Sequence, residues 1–501
     1  MKQVYWLIAI LFAATCPVLN LYHDGFIDQK WSMAAIAVLA FLLYAFLSHK
    51  RMRIGEPVMA SAACILTLYL CAYTYLSFLL KSPVLTGPFE NPNVLSIHLC
   101  LLLPFVYSGQ LRAVGTKRIA IVILMLISVL TILLTGCRTG WICLVFFMMV
   151  AVLRGRWKYL ALPAVVFFGF FLASSFKQSS SQGRSFILHN TLELLAEAPL
   201  LGHGTDGFGR LYMAKQAEYF KTHEDKELEM LADDIRHPLN EFLLVGVDHG
   251  LLGIALLSVL TLLPLVWRKR LYEQCRPLWQ SLSLLLICCL FSYPLLYPMS
   301  WLLIVAGWAL TFRSKVAHIC VSHRPLLLFC TVTILLTTLG YTSLLLAWGY
   351  ASHQAKRGRS EEMMASYECL YPYLSRRGIF LYDYAIESLY ADRYEQAYRL
   401  AEECRGKHLS YDLALLEGDI CRYMKNYDRA LECFDEASLM CPVRFAPPYG
   451  KWQVYEELGD EERKDSMAQV IREKKIKVNS LEIKRILEEI DNNEQKTMIK
   501  E

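Results

Sequence analysis

The run from Glu241 to Val266 reads EFLLVGVDHGLLGIALLSVLTLLPLV and follows the polar stretch Arg236-His237-Pro238-Leu239-Asn240. Glu241 and Asp248 are its only formal charges. As a helix it rises about 39 Å at 1.5 Å per residue, more than the roughly 30 Å of bilayer hydrocarbon. A strand reading fails, because an open sheet would leave its edge groups unpaired in lipid. Working outward, similar apolar segments lie near 4–21, 31–48, 57–80, 94–110, 119–136, 140–153, 158–176, 278–293, 296–312 and 325–349. With 241–266 they predict about 11 transmembrane helices. The segments 140–153 and 278–293 are short, which predicts a tilt or a shared hairpin.

Composition agrees. Over 501 residues, 55% are hydrophobic and 19% charged, with a mean hydropathy of +0.33. This excludes a disordered scaffold, a secreted disulfide framework and an ordinary soluble enzyme. The net charge of +5 is too small, over this length, to indicate nucleic acid. It is also an average of unlike parts. Residues 352–501 hold 24 Lys and Arg against 29 Asp and Glu, a net of −5, and the remainder of the chain carries +10. Two domains follow: a polytopic membrane domain over 1–350 and a polar helical domain over 352–501.

Much of the positive charge alternates between loops. One side has Lys2; Lys50, Arg51 and Arg53; Arg112, Lys117 and Arg118; Arg154, Arg156 and Lys158; Arg268, Lys269, Arg270 and Arg276; then Arg313, Lys315 and Arg324. The short loops opposite carry little beyond Lys30, Lys81 and Arg138. By the positive-inside rule the N-terminus is cytoplasmic, and the 177–240 loop and the C-terminal domain are outside. Ala13-Ala14-Thr15-Cys16 loosely matches a lipoprotein cleavage site, but Thr stands where a smaller residue is expected, so the first segment reads as an uncleaved membrane helix. Eleven of the 16 Cys lie in the membrane part, most as small buried hydrophobes. The other five (Cys369, Cys404, Cys421, Cys433, Cys441) leave disulfide pairing open.

In the C-terminal domain a period of 33–34 relates Tyr394 and Ala397 to Tyr427 and Ala430. Gly418, Tyr427, Ala430, Phe434, Ala437 and Pro442 stand where a tetratricopeptide repeat has its small, aromatic and breaker residues. The resemblance implies roughly three units from 378 to 476, enough to bury a shared core, with a capping helix after Lys477. Gly418 and Ala430 let two helices approach closely while Tyr427 and Phe434 fill the seam. Such an array implies docking of a protein partner; a generic helical hairpin array is the alternative.

Four polar clusters fall at the outward ends of the membrane helices. They are Thr86-Gly87-Pro88-Phe89-Glu90-Asn91-Pro92-Asn93; Gly136-Cys137-Arg138-Thr139-Gly140; Gly183-Arg184-Ser185-Phe186 followed by Ala198-Pro199-Leu200-Leu201-Gly202-His203-Gly204-Thr205-Asp206-Gly207-Phe208; and Arg236 to Leu243 running into Gly250-Leu251-Leu252-Gly253. In this order, over roughly 85–310, they resemble the O-antigen ligase and polymerase superfamily. The resemblance implies an all-α, GT-C-like polytopic glycosyltransferase of the bacterial inner membrane that acts at its periplasmic face. Its donor would be a glycan on undecaprenyl pyrophosphate, and it would need no nucleotide sugar, metal or cofactor. The acceptor hydroxyl would belong to lipid A-core, to a growing glycan (polymerase) or to a protein (O-oligosaccharyltransferase).

A pyrophosphate leaving group needs fixed cations where charge develops. Arginine suits this, because its planar fork pairs phosphate oxygens and stays protonated. Arg138 is the first candidate, since an unpaired cation at a helix centre costs about 2.5–3.5 kcal/mol; a snorkelling interfacial Arg is the alternative. Arg184 is the second, against an ordinary loop Arg, and Arg236 and Arg210 follow. His203 among Gly202, Gly204 and Gly207 is placed to line the glycan entrance. His237 is the candidate general base. Pro238 at a first helical position would put Asn240 and Glu241 in the first turn, with Glu241 on the face of His237 at i and i+4. The family's His directly precedes the Asn, whereas Leu239 does so here; either His237 has shifted, or Asn240 and Glu241 carry the polar work. His249 reads as a packed intramembrane His, and His98 as either a site residue or a bundle-facing one. Asn91, Pro92 and Asn93 read as a helix cap, and Asp233-Asp234 as a solvated approach rather than a metal clamp. A lipid-linked glycan transporter is the rival from another class, but no inverted repeat is visible.

Overall fold

The computed structural model describes residues 2–15, 26–47, 55–80, 84–152, 178–267, 275–312 and 323–500. The predicted 158–176 helix lies outside the described residues. So do Cys16 and the loop charges Lys50, Arg51, Arg53, Lys81, Arg154, Arg156, Lys158, Arg268, Lys269, Arg270, Arg313 and Lys315. The described chain is all-α. In chain order the helices are α1 Lys2–Thr15, α2 Phe26–Leu47, α3 Glu56–Leu80, α4 Pro92–Arg112, α5 Gly115–Leu134, α6 Arg138–Val152, α7 Gln178–Glu197, α8 Gly207–Thr222, α9 Lys226–Leu231, α10 Glu241–Val266, α11 Arg276–Phe291 and α12 Pro298–Thr311. There follow α13 Arg324–Gln354, α14 Ser360–Leu374, α15 Gly378–Tyr390, α16 Tyr394–Arg405, α17 Tyr411–Tyr423, α18 Tyr427–Met440, α19 Ala446–Leu458, α20 Glu461–Glu473 and α21 Leu481–Lys500.

Six of these helices are long and apolar enough to cross a membrane, and four shorter apolar helices accompany them. Every predicted apolar segment within the described residues is therefore a helix. The chain forms two compact units, Met1–Phe176 with Leu239–Val245 and Gly253–Gly349, and Lys177–Pro238 with Gly246–Leu252 and Tyr350–Glu501. A division at residue 350 would assign 177–238 to the membrane domain, whereas this segment clusters with the C-terminal helices.

In the first unit α4 is the hub. It packs against α3, α5, α6 and α11, and its residues from Val94 to Val106 are buried. A helix that is apolar all round belongs inside. Pro104 interrupts its hydrogen bonding, and nearby the Ser281 hydroxyl donates to Leu101 O at 2.7 Å. α5 instead exposes Ile119, Ile123, Leu126, Leu130 and Leu133, a surface suited to lipid rather than water.

In the second unit the C-terminal helices pack in successive pairs, α15 with α16, α17 with α18 and α19 with α20. Each pair turns through one left-handed residue: Asp392, Lys425 and Gly459. Their spacings of 33 and 34 residues repeat the sequence period. Phe434 fills the seam from α18. A Cβ on Gly418 or on Gly450 would lie 2.5 Å from its ring, so both glycines are needed for close approach. The 177–238 segment is tied to these helices by a buried amide. Gln216 Nε2 donates to Met440 O at 2.6 Å and to Asp233 O at 3.1 Å. Leu409 N donates to Gly209 O at 3.2 Å, and Arg444 pairs with Asp233 at 2.6 Å. Asp233 is thus a solvated residue that also makes an inter-segment ion pair. The described cysteines are free; Cys404, Cys421, Cys433 and Cys441 are buried and Cys369 is exposed.

Gly418→Val and Gly450→Val are each expected to destabilise the C-terminal unit by about 1–3 kcal/mol through overpacking. Limited proteolysis and thermal unfolding of the full chain in detergent measure this, with unchanged transitions in both variants as the contrary result.

Candidate active site

The first unit gathers three helix starts around one turn. α11 ends at Phe291, and Pro294 prevents its continuation. Asn91 caps α4, its Oδ1 accepting from Asn93 N at 2.9 Å, and its Nδ2 donates to Tyr293 OH at 3.2 Å. Asn93 Nδ2 donates to Ser292 Oγ at 2.8 Å, while its Oδ1 accepts from Cys137 Sγ. Asn240 caps α10, accepting from Phe242 N and Leu243 N at 2.9 and 3.1 Å, and donates to Leu290 O at 3.1 Å. Glu241 Oε1 accepts from Leu295 N at 2.6 Å. Arg138 opens α6 beside Cys137, and a Cβ on Gly140 would run into Ser96 Oγ and Ile132, so the Arg-x-Gly spacing lets α6 close on α4.

The positive ends of α4, α6 and α10 therefore face one region, and each favours an anion. The Arg138 guanidinium belongs to it, half-buried. Its Nη1 is buried and has no hydrogen-bond partner among the described residues. A buried guanidinium nitrogen without an acceptor is costly, and an anionic ligand would supply one.

Two expectations change here. The helix begins at Glu241 rather than at Pro238, because Leu239 takes a left-handed φ of 57°. His237 and Glu241 accordingly do not share a helical face. Asn240 is the cap, and Glu241 is buried, 3% exposed, on the Leu295 amide. Both shape the turn after α11.

The second unit holds the other candidates. Arg184 lies within α7, not in a loop. Arg210 Nη2 donates to His203 O at 2.6 Å, and His203 Nε2 meets Leu194 O at 2.8 Å. His203 is thus a strut of its own loop rather than an open entrance residue. Arg236 is exposed and pairs with Asp234 at 3.5 Å. His237 is half-buried; burial first, and the Arg236 charge second, push its pKa down to about 4, so its imidazole is neutral at physiological pH. Asp206 carries the opposite shift, up to about 6, from burial and the Asp248 carboxylate, opposed by Arg210.

The glycine motifs prove to be two halves of one device. α10 breaks at Gly250, φ 64° and ψ −164°, which frees backbone groups on either side. The 198–204 loop pairs with them. His203 N donates to Val247 O and Gly204 N to Asp248 O, both at 2.8 Å, while Leu251 N donates to Pro199 O at 2.8 Å and Leu252 N to Leu200 O at 3.4 Å. Contact is backbone to backbone. A Cβ on Gly202 would lie 2.4 Å from His249 N, and one on Gly250 would lie 2.3 Å from Leu200 C. Asp248 Oδ1 also accepts from Phe208 N at 3.1 Å, capping α8 where Asp206 makes no cap bond.

Sequence reasoning missed Lys30. Read as an outer loop charge, it is 1% exposed, donates to Pro88 O at 3.3 Å and lies 4.1 Å from the Phe89 ring centroid, a cation–π contact that braces the entry to α4. His98 packs beside it, 4.4 Å from Phe89, its Nδ1 2.8 Å from Val94 O. His249 is exposed rather than packed. Among the described residues no group of His, Cys, Asp and Glu is placed to hold a metal.

The architecture is that of a multi-pass membrane protein with a cationic, anion-favouring end. Residues 123–258 match the O-antigen ligase family model, and every candidate from Arg138 to Glu241 lies within the match. Over that segment the chain is similar to glycosyl-transferring enzymes of the inner membrane. No curated protein matches it.

Gly250→Ala is expected to strain the break by about 1–3 kcal/mol and open the 198–204 loop to protease, while Gly340→Ala, with open space around its Cα, leaves cleavage unchanged. Equal cleavage patterns in the two variants would refute the interlock.

Proposed function

We propose that the protein transfers a glycan from undecaprenyl pyrophosphate to a hydroxyl acceptor at the periplasmic face of the inner membrane, as an O-antigen ligase-like, inverting, metal-independent glycosyltransferase. The observation that carries this reading is the half-buried Arg138, with its unpartnered guanidinium nitrogen, among three helix N-termini, inside the segment matched by the family model.

The acceptor oxygen attacks the anomeric carbon from the side opposite the leaving group. The carbon–oxygen bond to the pyrophosphate breaks with its electron pair staying on phosphate, and the acceptor proton passes to His237. Arg138 and Arg184, with support from Arg236, offset the charge that grows on the departing pyrophosphate. His237 is suited to accept the proton because it is already neutral, and a bound dianion would raise its basicity by offsetting the Arg236 charge, the second cause of its depression. Asn240 and Glu241 act by fixing the start of α10, and Arg210 and His203 by holding the loop. The C-terminal helix pairs form a tetratricopeptide-like docking module for a protein partner.

Arg138→Ala or Arg184→Ala in a deletion strain is expected to reduce surface glycan attachment at least a hundredfold with normal membrane insertion; full attachment in both contradicts the pyrophosphate role. Reconstitution with a lipid-linked glycan and, in turn, lipid A-core, free glycan and protein acceptors identifies the product class.

The pH dependence has a defined sign. With His237 depressed to about 4, the required neutral form is present above that pH and is lost on acidification through it. kcat/KM, which reports the free enzyme, should keep full value down to pH 5. In Arg236→Gln, loss of the neighbouring charge should move the acid limb to higher pH. An unmoved limb in that variant excludes His237 as the base.

A further inference from the structure

We propose that the 198–204 loop is a membrane-inserted element whose apolar tip, Leu200 and Leu201, sits among the acyl chains of one bilayer leaflet. The two side chains are 70% and 71% exposed, and Leu251 and Leu252, on the helix to which the loop backbone is bonded, are 53% and 55% exposed. An adjacent exposed quartet of leucines in a water-facing loop has no compensation. The helix supplies the reason for it.

α10 is long and apolar enough to span. Its far end is marked by Trp267, 52% exposed, followed in sequence by Arg268, Lys269 and Arg270, an interfacial aromatic and a cationic flank. From that end, Leu251 to Val266 rises about 24 Å at 1.5 Å per residue. The hydrocarbon layer is roughly 30 Å thick, so about 6 Å of it remains on the other side of the Gly250 break. The bonds from Leu251 N to Pro199 O and Leu252 N to Leu200 O hold the loop tip within that depth. Irregular backbone is tolerated there only when its polar groups are paired inside the protein. Much of the loop meets this condition through its bonds to Val247, Asp248, Leu251 and Leu252, together with Gly202 N to Ala198 O, and Pro199 brings no N–H at all; the Leu200 and Leu201 amides make no backbone bond among the described residues.

α7, which leads into the tip, carries the same surface onward. Leu188 and Leu192, 41% and 46% exposed, are four residues apart on one row, and Arg184 occupies the preceding turn of that row. His189 and Glu193, exposed and 3.1 Å apart on the adjoining row, give α7 a polar side beside this apolar one, and an arginine at the end of the apolar row suits the phosphate layer of the headgroups. On the proposed transferase reading this brings Arg184 to the level of a lipid-linked pyrophosphate, but the insertion itself does not depend on that activity.

The test is lipid photocrosslinking. The full chain carrying benzoylphenylalanine at Leu201 is reconstituted in phosphatidylethanolamine–phosphatidylglycerol vesicles and irradiated, and phospholipid adducts are counted by mass spectrometry. The same substitution is made at Leu200 in case one variant misfolds. Thr205, exposed on the same loop, is the water-facing comparison, and Leu130, exposed on α5, is the lipid-facing one. Adducts at Leu200 or Leu201 at least tenfold above Thr205 and comparable with Leu130 are expected. Adducts at both positions no higher than at Thr205, with Leu130 labelled, overturn the proposal. The readout needs no glycan transfer, so an inactive protein that forms the adducts would refute the transferase reading alone.

Discussion

A polypeptide backbone placed in lipid must pair its own polar groups, and the chain breaks a helix that is long and apolar enough to span. Four hydrogen bonds across the Gly250 break, given and taken by residues 199–204, restore what the break removes. Much else follows from them. Gly202 and Gly250 must lack side chains because two backbones meet there. His203 and Arg210 are drawn into holding the loop, and Asp248 is left to cap α8. The short stretch Gly246–Leu252 clusters with the second unit although it lies in a helix whose two ends belong to the first.

The turn after α11 plays a similar organising part in the membrane unit. Asparagines at the starts of α4 and α10 each use one amide atom on a cap and the other on the turn. Capping and docking are thus done by the same side chains. This leaves Arg138 as the charged group whose hydrogen bonding is incomplete within that cluster, while the neighbouring carboxylate of Glu241 is already engaged. An end of a bundle with three positive helix termini and an arginine whose hydrogen bonding is incomplete favours an anion there.

The helices were legible because a spanning run needs only length and apolarity, and α2 to α6 and α10 to α13 begin and end within a few residues of their expected limits. The helical period at the C-terminus was legible for a similar reason: a small residue such as Gly418 and a large one such as Phe434 mark where two helices of a pair fit closely. Three features were not. Leu239 carries no local signal for a positive φ, so α10 was expected to start at Pro238 and the geometry of His237 and Glu241 was misjudged. Lys30 looks like a loop charge until Phe89 and Pro88 are placed beside it, since cation–π burial is a property of contacts. The allegiance of 177–238 rests on Gln216, an ordinary polar residue in sequence whose partner lies more than two hundred positions away.

That last distance has a consequence for biogenesis. Gln216 is buried against the carbonyl of Met440, and Gly209 accepts from Leu409, so the segment bearing Arg184, His203 and His237 emerges from synthesis well before the helices that complete its packing. During that interval its amide and apolar surfaces lack their final partners. The membrane helices can insert in order, but the 177–238 segment reaches its native packing only after the α17–α18 pair has been made and has folded. The C-terminal helices thereby serve as an intramolecular completion step, which ties the maturation of the 177–238 segment to production of nearly the whole chain.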